Sequence, residues 1–302
     1  MKVLKILFCW LAVCIGAAPS STSDTKYSIK FQPGKKVGAI QSDLIREASG
    51  IVASRKNAPV LWLHNDSGNS PKIYAINPKG ELLGVFAVTG SRCRDWEDIA
   101  IGPGPQANID YLYIGDIGDN SAAYPSVTIY RVPEPVVDSN SLAAEHQTEP
   151  AERIELIYPD GPKDAETLLV DSVNRDIYII SKRNLFSRVY LAPYPQSTDK
   201  PTKMFFIAIL PWGLATGGDV SPDGKLVVVR GLTSASIWSR PEGRPLWKAF
   251  SGDYSTIELM PEPQGEAICF DATGSGLYTT SEKSFQPIYY FQSLNLRKET
   301  DR

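Results

Sequence analysis

Histidine, methionine and cysteine are scarce in this chain of 302 residues, which carries 2, 3 and 4 of them. So little imidazole and thiol disfavours a zinc site, because His64 and His146 stand alone and no cysteine pair has ligand spacing. A Gly-x-Ser-x-Gly elbow is missing, and no Ser-His-Asp constellation is evident. Basic charge is not in excess either: 31 Lys+Arg face 34 Asp+Glu, which excludes a nucleic-acid polymer held by bulk positive charge. Long apolar runs are also lacking. The longest, Ile6–Ile15, is too short to span a bilayer, so no transmembrane segment is expected.

That run follows Lys2 and Lys5 and precedes small residues at Gly16–Ala18, the layout of a secretory leader over residues 1–20. The mature chain, residues 21–302, is then expected to be secreted, with a net charge of 29 − 34 = −5. It keeps Cys93 and Cys269, which could pair in an oxidising compartment but lie far apart in the repeat described next. Hydrophobic residues at 42% and charged residues at 22% fit one large folded domain, and 23 Gly with 23 Pro favour many short strands and turns.

The chain repeats itself five times. Each unit has a short apolar strand opened by an oxygen-bearing residue, a turn, a second very apolar strand, a polar loop and a third strand. Most units add a fourth. The units open at Ser49, Glu97, Glu166, Thr216 and Glu266, at intervals of 48, 69, 50 and 50 residues. The long interval holds an insert around Val137–Pro150, in which Leu142–His146 is expected to form a short helix. Four-stranded sheets repeated every 40–50 residues predict an all-β chain, a single β-propeller. Five blades are favoured over six, with the N-terminal strand Tyr27–Phe31 completing the last blade.

In a propeller the first strand of every blade lines the central channel, so the five opening residues should surround one mouth. Three carboxylates and two hydroxyls crowded together need a compensating cation or protons. Ca²⁺, which takes oxygen ligands in flexible geometry, suits them better than Mg²⁺. The alternative is that these side chains cap strand ends and bind turn amides. Loops after the second strands share the same face: His64–Gly68, Gly115–Asn120, Lys182–Asn184, Arg230-Gly231 and Glu282-Lys283. Asp66 and Asp116 are the candidate general bases there. Arg183, Arg230, Asp119 and Trp96 are the candidate contacts for an anionic, phosphate-like small molecule.

The order Ser, Glu, Glu, Thr, Glu resembles the calcium-activated nucleotidases, the soluble apyrases, which have Ser at the fourth position. The resemblance implies a five-bladed propeller holding one Ca²⁺ on Ser49, Glu97, Glu166, Thr216 and Glu266 and hydrolysing nucleoside di- and triphosphates. Tyr111–Gly115 is similar to that family's second-blade hairpin, Ser181-Lys182-Arg183 to its third-blade basic turn, and Arg230 falls where it has a lysine. The chain departs at His64-Asn65-Asp66-Ser67, where the family has paired Asp then Arg, and at Gly231-Leu232-Thr233, where it has acids. Phytase-like and gluconolactonase-like propellers share the strand starts and the Ser221-Pro222-Asp223-Gly224 turn. Three functions follow as expectations: a secreted Ca²⁺-dependent phosphohydrolase, a non-catalytic matrix or ligand-binding propeller with a structural Ca²⁺, and, behind these two, a lactone or ester hydrolase.

Overall fold

The computed structural model describes residues 29–138 and 145–294. The leader expected over residues 1–20 lies outside them. Five small sheets make five blades, each a meander numbered outward from the channel. Blade 1 is β2 (Ala48–Ala53), β3 (Leu61–Asn65), β4 (Lys72–Ile76) and β5 (Leu82–Ala87). Blade 2 is β6 (Trp96–Pro103), β7 (Asp110–Asp116), β8 (Val127–Pro133) and β10 (Glu152–Ile157). Blade 3 is β11 (Ala165–Val170), β12 (Ile177–Ser181), β13 (Arg188–Ala192) and β15 (Phe205–Ile209). Blade 4 is β16 (Gly217–Val220), β17 (Leu226–Arg230), β18 (Ser234–Ser239) and β19 (Tyr254–Glu258). Blade 5 is β20 (Gly265–Phe270), β21 (Gly276–Ser281), β22 (Pro287–Gln292) and, from the other end of the chain, β1 (Lys35–Ala39). The inner strands touch in the closed cycle β2, β6, β11, β16, β20 and back to β2, so the ring has five blades.

Strand periodicity explains why the second strands are so apolar. Successive side chains face opposite sides of a sheet, and a blade has a neighbour on both sides. Along β7, Tyr111 and Tyr113 pack towards blade 3 while Leu112 and Ile114 pack towards blade 1. Along β12, Ile177 and Ile179 face blade 2 while Tyr178 and Ile180 face blade 4. The core is therefore five clusters, one at each blade interface.

Two expectations are corrected. The strand that closes the ring is β1, not the segment expected at Tyr27–Phe31, whose first two residues lie outside the described ones: Lys35 pairs with Tyr290 and Ala39 with Pro287. Phe31 makes only an isolated bridge to Ser293, and Ile29 and Phe31 pack against the cluster between blades 4 and 5. The helix expected over Leu142–His146 is not formed at its described end. Glu145–Gln147 is a short strand, β9, running parallel to β5 and covering the outer edge of blade 1. Thr202–Lys203, β14, does the same for β10 in blade 2. Both devices shield edge strands that would otherwise expose unpaired backbone groups. Cys93 and Cys269 are both free.

Candidate functional site

Four of the five inner strands begin with a bulge. The pairing register slips between Ala48 and Gly50, Trp96 and Asp98, Ala165 and Thr167, and Gly265 and Ala267. The residues skipped are Ser49, Glu97, Glu166 and Glu266. A bulge leaves its extra residue outside the ladder and re-aims it, and the same irregularity, repeated in three blades, turns the three glutamates to one place. Carboxylate oxygens of Glu97, Glu166 and Glu266 lie within 4.8 Å of one another, all three residues being buried. In blade 4, Thr216 precedes the strand and donates its N–H to the Arg230 carbonyl at 3.0 Å.

The two hydroxyls are tied to the neighbouring blades. Ser49 Oγ donates to the Glu97 carbonyl at 2.6 Å, joining blades 1 and 2, and Thr216 Oγ1 donates to the Gly265 carbonyl at 3.2 Å, joining blades 4 and 5. Their lone pairs remain available as acceptors.

A second ring follows from the pairing. The partner of each strand-opening residue ends the second strand, and the next residue emerges at the same mouth. These are Asp66, Ile117, Lys182, Gly231 and Glu282. Lys182 is the one base among them. Its Nζ is hydrogen-bonded to Glu166 Oε1 and lies 3.5 Å from Glu266 Oε1. Asp66 forms a further acidic group with Asp95 and Glu97, their ligand atoms also within 4.8 Å of one another.

Electrostatics record the crowding. Burial, then Glu266, pushes Glu166 up to about 8. Burial, then the hydrogen bond and charge of Glu266, takes Glu282 to about 9. Burial, then Glu166, raises Glu97 well above the usual carboxylate range. Asp66 is raised to about 6, chiefly by burial. For Lys182, burial works against the charge but Glu166 outweighs it, and the ammonium is held above its ordinary value.

The other sequence candidates divide between rim and scaffold. Arg183 is on the rim with its side chain half exposed; its Nε lies 2.5 Å from Asp164 Oδ2 and its other end contacts Asn120. Asp116 joins neither acidic group: buried, it accepts the Asp95 N–H at 2.9 Å and lies 3.6 Å from Arg94 Nε. Asp119 is buried too and accepts the Tyr124 N–H at 2.7 Å.

Trp96 and Arg230 are corrected as substrate contacts, because neither reaches the surface. Trp96 fills the cluster between blades 1 and 2, donates Nε1–H to the Arg92 carbonyl at 2.9 Å and meets the His64 ring edge-on at 5.7 Å. Arg230 spends its donors on the Gly231 and Ala267 carbonyls and on Glu262. His64 is also wall, its ring fully buried and held neutral at about 4 by burial.

The sequence places Lys182, Glu282 and Gly118 in the loops of this face but gives none of them a role. The position that immediately follows each second strand was the available signal. Gly118 matters because a Cβ there would collide with Glu97 Oε1 and Asp95 Oδ2.

The fold and this mouth define a five-bladed β-propeller whose channel opens through a ring of acids around a single lysine. No protein-family model and no curated protein matches the sequence. Among solved structures, the PQQ-bound aldose sugar dehydrogenase of Streptomyces coelicolor is similar over 88% of this chain and 98% of its own, at 11% identity and a TM-score of 0.50. A nidogen/laminin complex chain is similar over 78% of this chain and 72% of its own, at 12% identity and a TM-score of 0.43. At such identities the likeness is one of fold. No helix among the described residues is long and apolar enough to cross a membrane.

Proposed function

We propose that the protein is a secreted, calcium-dependent propeller hydrolase of phosphoanhydride or phosphoester substrates, nucleotide-like ones included. The observation that carries the reading is the convergence of Glu97, Glu166 and Glu266 on one point at the channel mouth. The donor set fits a hard divalent cation: it is all oxygen, and Glu166 Oε2 is buried with no hydrogen-bond partner among the described residues. The charge balance fits as well, since the two rings bring five carboxyl groups against one ammonium. Ser49 and Thr216 would complete the set through their free lone pairs.

Calcium bound there would supply charge neutralisation for an anionic substrate. The remaining work falls to the chain. Asp66 stands at the mouth, partly exposed, with its carboxyl raised to about 6, a value suited to taking a proton from water near neutrality. Arg183 offers a half-exposed guanidinium to a phosphoryl group. Asp116 holds the Asp95 backbone, and through it the acidic strand start of blade 2.

A second reading, a non-catalytic extracellular ligand-binding propeller with a structural Ca²⁺, is favoured by one observation. Asp116, Trp96 and Arg230 are all committed to the scaffold, which leaves few free groups for chemistry. Assays on nucleoside di- and triphosphates and phytate, with and without chelator, separate the two. The hydrolase reading expects calcium-dependent turnover that Asp66→Asn abolishes. Under either reading the melting temperature rises with Ca²⁺ as mass action requires, and Glu166→Gln removes that rise. Absence of turnover on all of these substrates would remove the hydrolase reading; absence of the calcium-dependent stabilisation would remove both.

A further inference from the structure

Lys182 is already a cation inside the acidic ring. It occupies the side shared by Glu166 and Glu266, touching the first and lying 3.5 Å from the second. Its equivalents in the other blades are Asp66, Ile117, Gly231 and Glu282, so the base is peculiar to blade 3 and not a feature of the repeat.

The backbone beneath it is fixed. Lys182 donates its N–H to the Asp164 carbonyl at 3.0 Å, and its own carbonyl accepts from Asn184 and Leu214 at 2.9 and 3.2 Å. The side chain is not sealed in; 17% of it remains exposed at the mouth. Its four-carbon stem with a compact, rotatable ammonium can change partners without moving the strand. Beside it in sequence, Arg183 stands at the rim, tied to Asp164 and Asn120.

A divalent ion held by Glu166 and Glu266 would lie within a few ångströms of an ammonium on their Oε1 atoms, so the two cations compete for the pair. Like charges about 4 Å apart repel by several kcal/mol at the effective dielectric of a half-buried site. We infer that Lys182 is a tethered counter-cation: it holds the carboxylates together until a divalent ion arrives, is displaced by that ion, and then stands beside Arg183 to receive the substrate's anionic group. This rests on reading the mouth as a divalent-cation site. Binding is then ordered, cation before anion, and each ligand strengthens the other.

Calorimetric titration of Ca²⁺ into the whole chain tests the displacement. Lys182→Met is expected to bind Ca²⁺ about tenfold more tightly than the wild type, a change of about 1.4 kcal/mol. Lys283→Met removes the same charge from an exposed position on the same face and should change the affinity by less than about threefold.

The second arm uses inorganic phosphate, below the solubility limit of its calcium salt. Saturating Ca²⁺ should raise phosphate affinity in the wild type about tenfold, and this gain should shrink about fivefold in Lys182→Met. If Lys182→Met has lost its far-UV circular dichroism spectrum, Lys182→Gln takes its place in both arms. Calcium binding by the wild type with no tightening in the variant overturns the inference alone, as does an undiminished phosphate gain. No calcium binding by either protein overturns the reading of the mouth, and the inference with it.

Discussion

Arg230 and Glu262 are 0% and 1% exposed in their side chains and 2.8 Å apart, so neither meets water. Burial lowers the Arg230 guanidinium from its ordinary value while Glu262 supports it. Such a pair adds little net stability, but cutting one partner strands the other charge in a dry site. Arg230→Met is therefore expected to lower the unfolding free energy by about 3–5 kcal/mol in urea titrations, and adding Glu262→Met should recover most of that loss. A phosphate-binding role would instead predict unchanged stability and weaker anion binding. At Gly118 the argument concerns space. A methyl group would enter the room held by Glu97 Oε1 and Asp95 Oδ2, and both acids would have to part. Gly118→Ala should weaken Ca²⁺ binding by about tenfold in calorimetry, or about 1.4 kcal/mol, while far-UV circular dichroism is unaltered.

Among the elements, β1 carries the ring closure and was the hardest to read. Its sequence, Lys-Lys-Val-Gly-Ala, is charged and mostly exposed, because an outermost strand buries little and has no need to alternate. Tyr27–Phe31 alternates better, yet Ile29 and Phe31 spend their apolar side chains on the cluster between blades 4 and 5. Inner and second strands were legible because neighbours on both faces enforce apolar runs between turn residues. That is why the opening residues at Glu97, Glu166 and Glu266 could be aligned by turns alone. The lysine between them was not legible as a partner: spacing fixes which residues reach the mouth, whereas side-chain reach decides which of them touch. Gly38 tests the closure. It sits where the β1–β22 register slips, and a Cβ there would run into the backbone of Pro78 and Lys79 in blade 1. Gly38→Val should cost about 1–3 kcal/mol of stability in thermal or urea unfolding, with Ca²⁺ affinity at 25 °C unchanged.

For the whole molecule, the ring gathers acids in its middle, and this fixes the sign of its pH dependence. Glu166 at about 8, Glu282 at about 9 and the fully buried Asp219 at about 6 all stand above their unfolded values. A raised carboxyl means that the folded chain holds more protons than the unfolded one between the two values. Stability contributed by these groups is thus full below about pH 4 and falls as the pH rises through the folded values. Asp219 illustrates the scale, since it accepts the Val220 and Phe270 N–H groups at 2.8 and 2.9 Å while out of solvent. A shift of about two units amounts to about 3 kcal/mol lost between pH 4 and pH 7. Other acids of the molecule run the opposite way, Asp271 among them, held low despite its burial by Tyr290, Thr273 and Ser275. Shifts of that sign act at the acid end of the range, at and below ordinary carboxylate values, and not between pH 6 and pH 9. Between pH 6 and pH 9 the melting temperature of chelator-treated protein is therefore expected to fall steadily. A divalent ion binds the deprotonated carboxylates, so calcium should flatten or reverse that slope, and more strongly the higher the pH. Scanning calorimetry at four pH values, with and without calcium, reads both slopes. Parallel slopes would mean that the acids at the mouth do not share a cation.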